Sequence, residues 1–143
     1  MPKLVLQVAA KGVVVNDKGQ VLILREAKTY DEGTGKGRYH LPGGRLNEGE
    51  SYIDGLHREI KEETGLEIEP GQPVYVGEWR PIVKGIPRQI IGIFTFCKPK
   101  TTSVRLSEEH DKSVWISPAD HHDYDLMDPD GDVIDTYAAQ TAR

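Results

Sequence analysis

The chain has 143 residues, enough for one compact domain with one core and not comfortably two, so a single domain over 1–143 is expected. Hydrophobic residues make up 37% and charged residues 29%, and no apolar run approaches the roughly 20 residues that a membrane-spanning helix needs. The formal net charge of −5 argues against a nucleic-acid polymer as partner, while leaving room for a small nucleotide ligand.

The N-terminus, Met1-Pro2-Lys3-Leu4-Val5-Leu6, runs straight into strand-like sequence without the apolar core of a signal peptide. Cys97 is the only cysteine, so no intramolecular disulfide is possible, and a cytoplasmic location is expected. Residues 5–15 and 21–25 are β-rich and flank the turn signal Asn16-Asp17-Lys18-Gly19, which reads as a hairpin. Residues 29–36 are polar and glycine-rich and read as a loop. Tyr39-His40-Leu41 is a short strand ending at Pro42-Gly43-Gly44.

The strongest helix signal covers 51–64. Ser51 with Asp54 three residues later forms a capping-box signal, and Gly65 is a stop after the last turn. Ile53, Leu56 and Ile60 recur at helical spacing as a buried stripe. Strands are expected near Ile68 and over 74–78, 89–97 and 113–116, and a last helix over 133–139 is capped by Asp128 or Asp130. This order of elements predicts an α/β sandwich around a mixed sheet.

Glu59, Glu62 and Glu63 stand at i, i+3 and i+4 and share one helical face. Like charges at this spacing repel and raise one another's pKa unless a cation sits among them. Spacing alone favours a solvated acidic face balanced by Arg58 and Lys61. The glycines of the run 44–66, Gly44 and Gly49 among them, change the balance, because they let the backbone approach a ligand closely. Oxygen donors of this kind suit Mg²⁺ or Mn²⁺, which keep positions open for phosphate and water. Gly55 falls near the acidic face, where a larger side chain is expected to obstruct the site.

At these residues the sequence resembles the Nudix hydrolase family. Gly44, Glu50, Arg58, Glu59, Ile60, Glu62, Glu63, Gly65 and Leu66 fill every fixed position of that family's signature. The resemblance implies a Nudix-type α/β/α sandwich and metal-dependent hydrolysis of a nucleoside diphosphate linked to a group X. It implies Glu59 and Glu63 as metal ligands, with Glu62 as a further ligand or the base, and the carbonyl of Gly43 as another ligand. It implies that Arg58 orients Glu50 by an ion pair. In the family the base sometimes lies on a later loop, here Ser107-Glu108-Glu109-His110-Asp111, where spacing to Trp115 favours Glu109 over Glu108.

Other signals are weaker. Arg25 stands where the family often places a phosphate-contacting residue, and Gly44 lets substrate approach the backbone; Arg38 and Arg88 are further phosphate candidates. Trp79 and Tyr30 offer aromatic faces to a nucleobase, although Trp79 serves equally well in the core or a homodimer interface, and Trp115 reads as core. His121 and His122 read as surface residues. The short chain resembles the mutator-type nucleoside triphosphate pyrophosphohydrolases, which yield a monophosphate and pyrophosphate. ADP-ribose-cleaving members of the family carry a proline near Pro81, a competing pointer, and cleavage of ADP-ribose or a nucleotide sugar is the alternative reading. The contrasting class is a non-catalytic nucleotide-binding module, which typically has lost the acids that Glu59, Glu62 and Glu63 supply.

Overall fold

The computed structural model describes residues 3–30 and 33–142, so Asp31 and Glu32 of the expected glycine-rich loop lie outside the described residues, as do Met1, Pro2 and Arg143. In chain order the elements are β1 (Val5–Val14), β2 (Val21–Glu26), β3 (Tyr39–His40), β4 (Gly43–Arg45), α1 (Tyr52–Thr64), β5 (Ile68–Trp79), β6 (Ile82–Val83), β7 (Ile86–Pro99), β8 (His110–Ile116), a short 3-10 helix (Pro118–Asp123) and α2 (Asp130–Thr141).

Two sheets form. In the first, β1 lies between β4 and β7, antiparallel to β4 and parallel to β7, and β7 also pairs antiparallel with β5 and β6. In the second, β2 lies between β3 and β8, antiparallel to both. The hairpin expected between β1 and β2 therefore exists only at its mouth. Asn16 Oδ1 accepts from the amides of Lys18 (3.0 Å) and Gln20 (2.9 Å), and Val15 bridges Val21. Beyond that bridge the strands diverge: β1 pairs with β7 along its length and with β4 over residues 9–11, while β2 pairs with β3 and β8. The two segments expected near Ile68 and 74–78 join as one strand, β5. Its register shifts fall beside Pro70 and Pro73, which have no N–H to give to the ladder.

Alternation along β1 and β2 builds two cores. Ala10, Val14, Leu22 and Leu24 face α1 with Leu56, Ile60, Leu66 and Cys97. Val13, Val15, Val21 and Ile23 face the other way, toward Phe94, Val133 and Ile134. Strands buried on both faces read as near-continuous apolar runs, which is why residues 21–24 carry no polar side chain. One helix thus covers each side, an α/β/α arrangement. Among the described residues no helix is long and apolar enough to cross a membrane.

The helix ends follow the sequence at α1 and depart from it at α2. Ser51 Oγ accepts from Asp54 N (3.1 Å), and Gly65 adopts φ 74° with its N–H on Lys61 O (2.8 Å). The buried stripe is not led by Ile53, which is 46% exposed at the margin of the first turn. Tyr52 takes that place, its hydroxyl donating to Ile93 O (3.0 Å) and lying 2.6 Å from Thr95 Oγ1. At α2 neither Asp128 nor Asp130 caps: Pro129 holds the cap position without a side-chain bond, and Asp130 is buried with its carboxylate on Leu41 N (2.7 Å). His121, expected at the surface, is buried with Nε2 2.7 Å from Asp135 Oδ1, while His122 is exposed.

Candidate active site

The centre of the site is the pairing of β4 with β1, onto which α1 folds back. Gly43 opposes Lys11 in the antiparallel ladder. Its φ of 126° lies in the left-handed half of backbone space, and a Cβ there would strike the carbonyl of Ala10. Gly44 is small for a different reason: a Cβ would meet Glu59 Oε2 at 2.5 Å. The two glycines let α1 bring Glu59 and Glu63 against the β4 backbone, with Gly43 N donating to Glu63 Oε1 (2.8 Å). Lys11 Nζ donates to the carbonyl of Gly43 (3.3 Å).

Arg58 anchors the loop between β4 and α1. Its Nε and one terminal nitrogen grip Glu50 in a two-point pair (2.6 and 2.8 Å). The other terminal nitrogen reaches Glu59 (3.0 Å) and Glu62 (3.2 Å), and the fork also meets the carbonyl of Arg45 (3.2 Å). Arg58, followed by the amide of Asn47, holds the Glu50 carboxyl down at about 2. Gly55 accommodates this loop. A Cβ there would strike Leu46 Cδ2 and lie 3.0 Å from Glu50 Oε1, so the expected obstruction is of loop packing.

A cavity of about 520 Å³ opens above β4, a size suited to a nucleotide. Glu59 and Glu63 line it with Glu109, Asp130, Lys11 and Arg45. Burial pushes Glu63 up to about 8, and Lys11 and the Gly43 amide oppose the shift only in part. Burial also raises Glu59, against the pull of Arg58, and lifts Asp130 to about 6. Glu63, Glu109 and His110 each bring a ligand atom within 4.8 Å of the others. Beside them His40 and His110 meet through their Nε2 atoms at 2.7 Å. Burial lowers both histidines, His110 to about 4 and His40 well below its ordinary value.

The residues singled out from sequence divide into three groups. Gly43, Gly44, Glu59, Glu63, Glu109, Trp79 and Tyr30 all line the cavity, as does Pro81. Arg58 stands behind it. Glu62, Glu108, Arg25, Arg38 and Arg88 do not line it. Glu62 is about 100° around the helix from Glu63, and its side chain is 59% exposed. Arg25 alternates to the opposite face from the cavity-lining Glu26 and pairs with Asp111 (2.7 Å). Arg38 pairs with Asp125 (3.2 Å), and Arg88 donates to Gln7 (2.8 Å). Trp79 rests its half-buried ring near Phe94, with ring centroids 6.2 Å apart, and Trp115 packs against the α1 core.

Sequence reasoning missed Lys11, Glu26, His40, His110 and Asp130. Asp130, expected as a helix cap, lines the cavity instead. The available signal for Lys11 was a charged residue inside an apolar strand, where it is buried; Glu26 is buried as well but ends β2 directly after Arg25, so the pattern does not single it out.

A NUDIX domain family model matches residues 5–137. A MutT-like protein of Streptomyces ambofaciens is 35% identical over 111 residues, which are 78% of this chain. The chain spans 64% of that relative's length. A CTP pyrophosphohydrolase of Escherichia coli (strain K12) is 27% identical over 129 residues, 90% of each chain. The crystal structure of a MutT protein from Methanosarcina mazei Go1 superposes with a TM-score of 0.87 over the whole of both chains at 24% identity, a likeness of fold. With the signature residues of 44–66 assembled on β4 and α1 and the family model matching from β1 into α2, the chain belongs to the NUDIX domain family.

Proposed function

We propose that the protein is a metal-dependent hydrolase of a phosphoanhydride bond in a nucleoside diphosphate derivative. The preferred substrate is a nucleoside triphosphate or a modified nucleotide, giving a monophosphate and pyrophosphate. The observation that carries this reading is the buried carboxyl of Glu63, pushed up to about 8 beside Glu59 and Glu109 in a nucleotide-sized cavity. Carboxylates buried together are stable as anions only when a cation joins them.

The donor set fits a divalent cation. Glu59, Glu63 and the Gly43 carbonyl would hold Mg²⁺ or Mn²⁺, with Glu109 close by. Such an ion supplies charge neutralisation for the diphosphate and acidifies bound water. The chain's own groups do the rest. Lys11 and Arg45 bring positive charge to the phosphates, and Trp79 and Tyr30 offer flat apolar surface to the base. Glu109 is the better base candidate. It lines the cavity, whereas Glu62 is exposed and bonded to Arg58. Arg58 acts as a positioning residue, fixing Glu50 and Glu59 and with them the β4–α1 loop.

The relative named CTP pyrophosphohydrolase, which aligns over 90% of both chains, supports a nucleotide with a free phosphate end over ADP-ribose. Pro81 on the cavity wall keeps ADP-ribose as the second reading. The retained acids weigh against a non-catalytic binding module. The test is a Mg²⁺-dependent hydrolysis screen across nucleoside triphosphates, oxidised nucleotides, ADP-ribose and nucleotide sugars, with Glu63→Gln as control. Turnover of a nucleoside triphosphate by wild type alone is the expected result. If no compound turns over faster with wild type than with Glu63→Gln, the reading fails.

A further inference from the structure

The hydrogen bonds of the two buried histidines determine where their protons lie. His40 Nδ1 is 2.7 Å from the carbonyl oxygen of Leu41, a contact that requires a proton on the nitrogen. Lys11 Nζ also lies 3.1 Å from that nitrogen. Were the lysine to donate there, the ring lone pair and the Leu41 carbonyl would face each other at 2.7 Å with no proton between them. Lys11 has the Gly43 carbonyl to donate to instead. A neutral His40 protonated at Nδ1 must accept at Nε2. The proton of the 2.7 Å contact between the rings therefore belongs to His110 Nε2.

The chain of bonds ends at His110 Nδ1, which is left as a bare lone pair. That atom is buried and has no hydrogen-bond partner, and His110 as a whole is 6% exposed. The residue lines the cavity and belongs to the group in which Glu63 and Glu109 bring ligand atoms within 4.8 Å. Two donors each about 2.1 Å from one ion stand at most about 4.2 Å apart, so small side-chain adjustments close such a group. Histidine ligands are typically oriented by a bond from their second ring nitrogen, which fixes the tautomer that exposes the ligating lone pair. The contact with His40, itself tied to Leu41, supplies that bond.

We infer that His110 is a ligand of the cavity metal through Nδ1, giving the ion a mixed oxygen–nitrogen set with Glu63, beside Glu109. The inference rests on the metal-dependent reading above and deepens it. An imidazole nitrogen favours borderline ions over Mg²⁺, so the site should prefer Mn²⁺ or Co²⁺ to Mg²⁺ more strongly than an all-oxygen site would.

Pulsed EPR of the Mn²⁺-loaded full chain tests this directly, with Glu63→Gln as a binding control and ¹⁵N-histidine labelling to assign any coupling. The expected spectrum of the wild type shows an imidazole nitrogen coupled to manganese, with the labelled sample shifting it to the ¹⁵N pattern. His110→Gln is expected to lose the coupling and to bind Mn²⁺ at least about tenfold more weakly, with a smaller change for Mg²⁺. The wild-type spectrum decides the matter by itself, whether or not His110→Gln folds. Manganese bound in a Glu63-dependent way without nitrogen coupling overturns the ligand assignment and leaves the hydrolase reading standing. Manganese binding that Glu63→Gln does not weaken overturns both.

Discussion

Two carboxylates on neighbouring parts of the same structure have opposite fates. Glu50 is gripped at two points by Arg58 and held down at about 2, whereas Glu63, five residues after that arginine on α1, is buried and pushed up to about 8. The first is an anion whose partner is built into the chain. The second has an amide of Gly43 and a nearby lysine, which offset its burial only in part. Function lies with the second: Glu50 and Arg58 use their charge to hold the β4–α1 loop, and Glu63 is a buried acid that ionises against something brought in from outside.

Replacing the externally directed charge should cost most. Glu63→Gln is expected to lower kcat/KM by about a hundredfold or more, read by steady-state hydrolysis with saturating Mg²⁺. Breaking the internal pair comes next. Arg58→Ala should weaken Mg²⁺ binding by roughly 10- to 100-fold through misplaced Glu59, measured by calorimetry. Arg58→Lys should rescue it poorly, because a point charge cannot replace the two-point grip.

A third prediction concerns pH. In the metal-free protein the raised carboxyl of Glu63 binds a proton more tightly when folded than its unfolded value of 4.5 allows, so its contribution to stability falls as pH rises from there to about 8. Asp130 acts in the same sense, but only up to about 6. The lowered histidines act in the opposite sense below 6.5, where the unfolded chain takes up their protons. Between 6.5 and 8, therefore, the slope comes from Glu63, with Glu59, which burial also raises, acting in the same sense. Denaturant melts should show stability falling by up to about 1.4 kcal/mol per pH unit there, and Glu63→Gln should flatten the curve.

The smallest effects belong to the residues outside the cavity. Glu62→Gln removes an exposed partner of Arg58 and should change kcat/KM within about fivefold. Arg25→Ala removes a surface pair with Asp111 and should change it within about twofold.

Much of the α1 region was legible because its signals are local. Ser51 and Gly65 mark the helix ends by cap chemistry, and the i, i+4 spacing places Glu59 and Glu63 together. What failed to show in the sequence was decided by distant partners. Ile53 has the right spacing for the stripe, yet Tyr52 wins the place over the sheet by reaching Thr95. Residues 5–25 pattern as a hairpin, but the competing strands β4 and β7 come from elsewhere in the chain. Arg25 and Glu26 are adjacent, and only the register of β2 on β3 and β8 tells which one faces the cavity. Lys11, His40, His110 and Asp130 carry no motif at all; β1, β3, β8 and α2 bring them to one place.

The most direct test of Glu63 as a buried acid that ionises against a cation is to count the protons released when the metal binds. Calorimetric titration with Mg²⁺ or Mn²⁺ at pH 7, repeated in buffers of different ionisation enthalpy, yields that number. A carboxyl held at about 8 must lose its proton to become a ligand, so close to one proton per ion should be released by wild type and much less by Glu63→Gln. Metal binding with no proton release from the wild type, or with equal release from Glu63→Gln, would contradict the account.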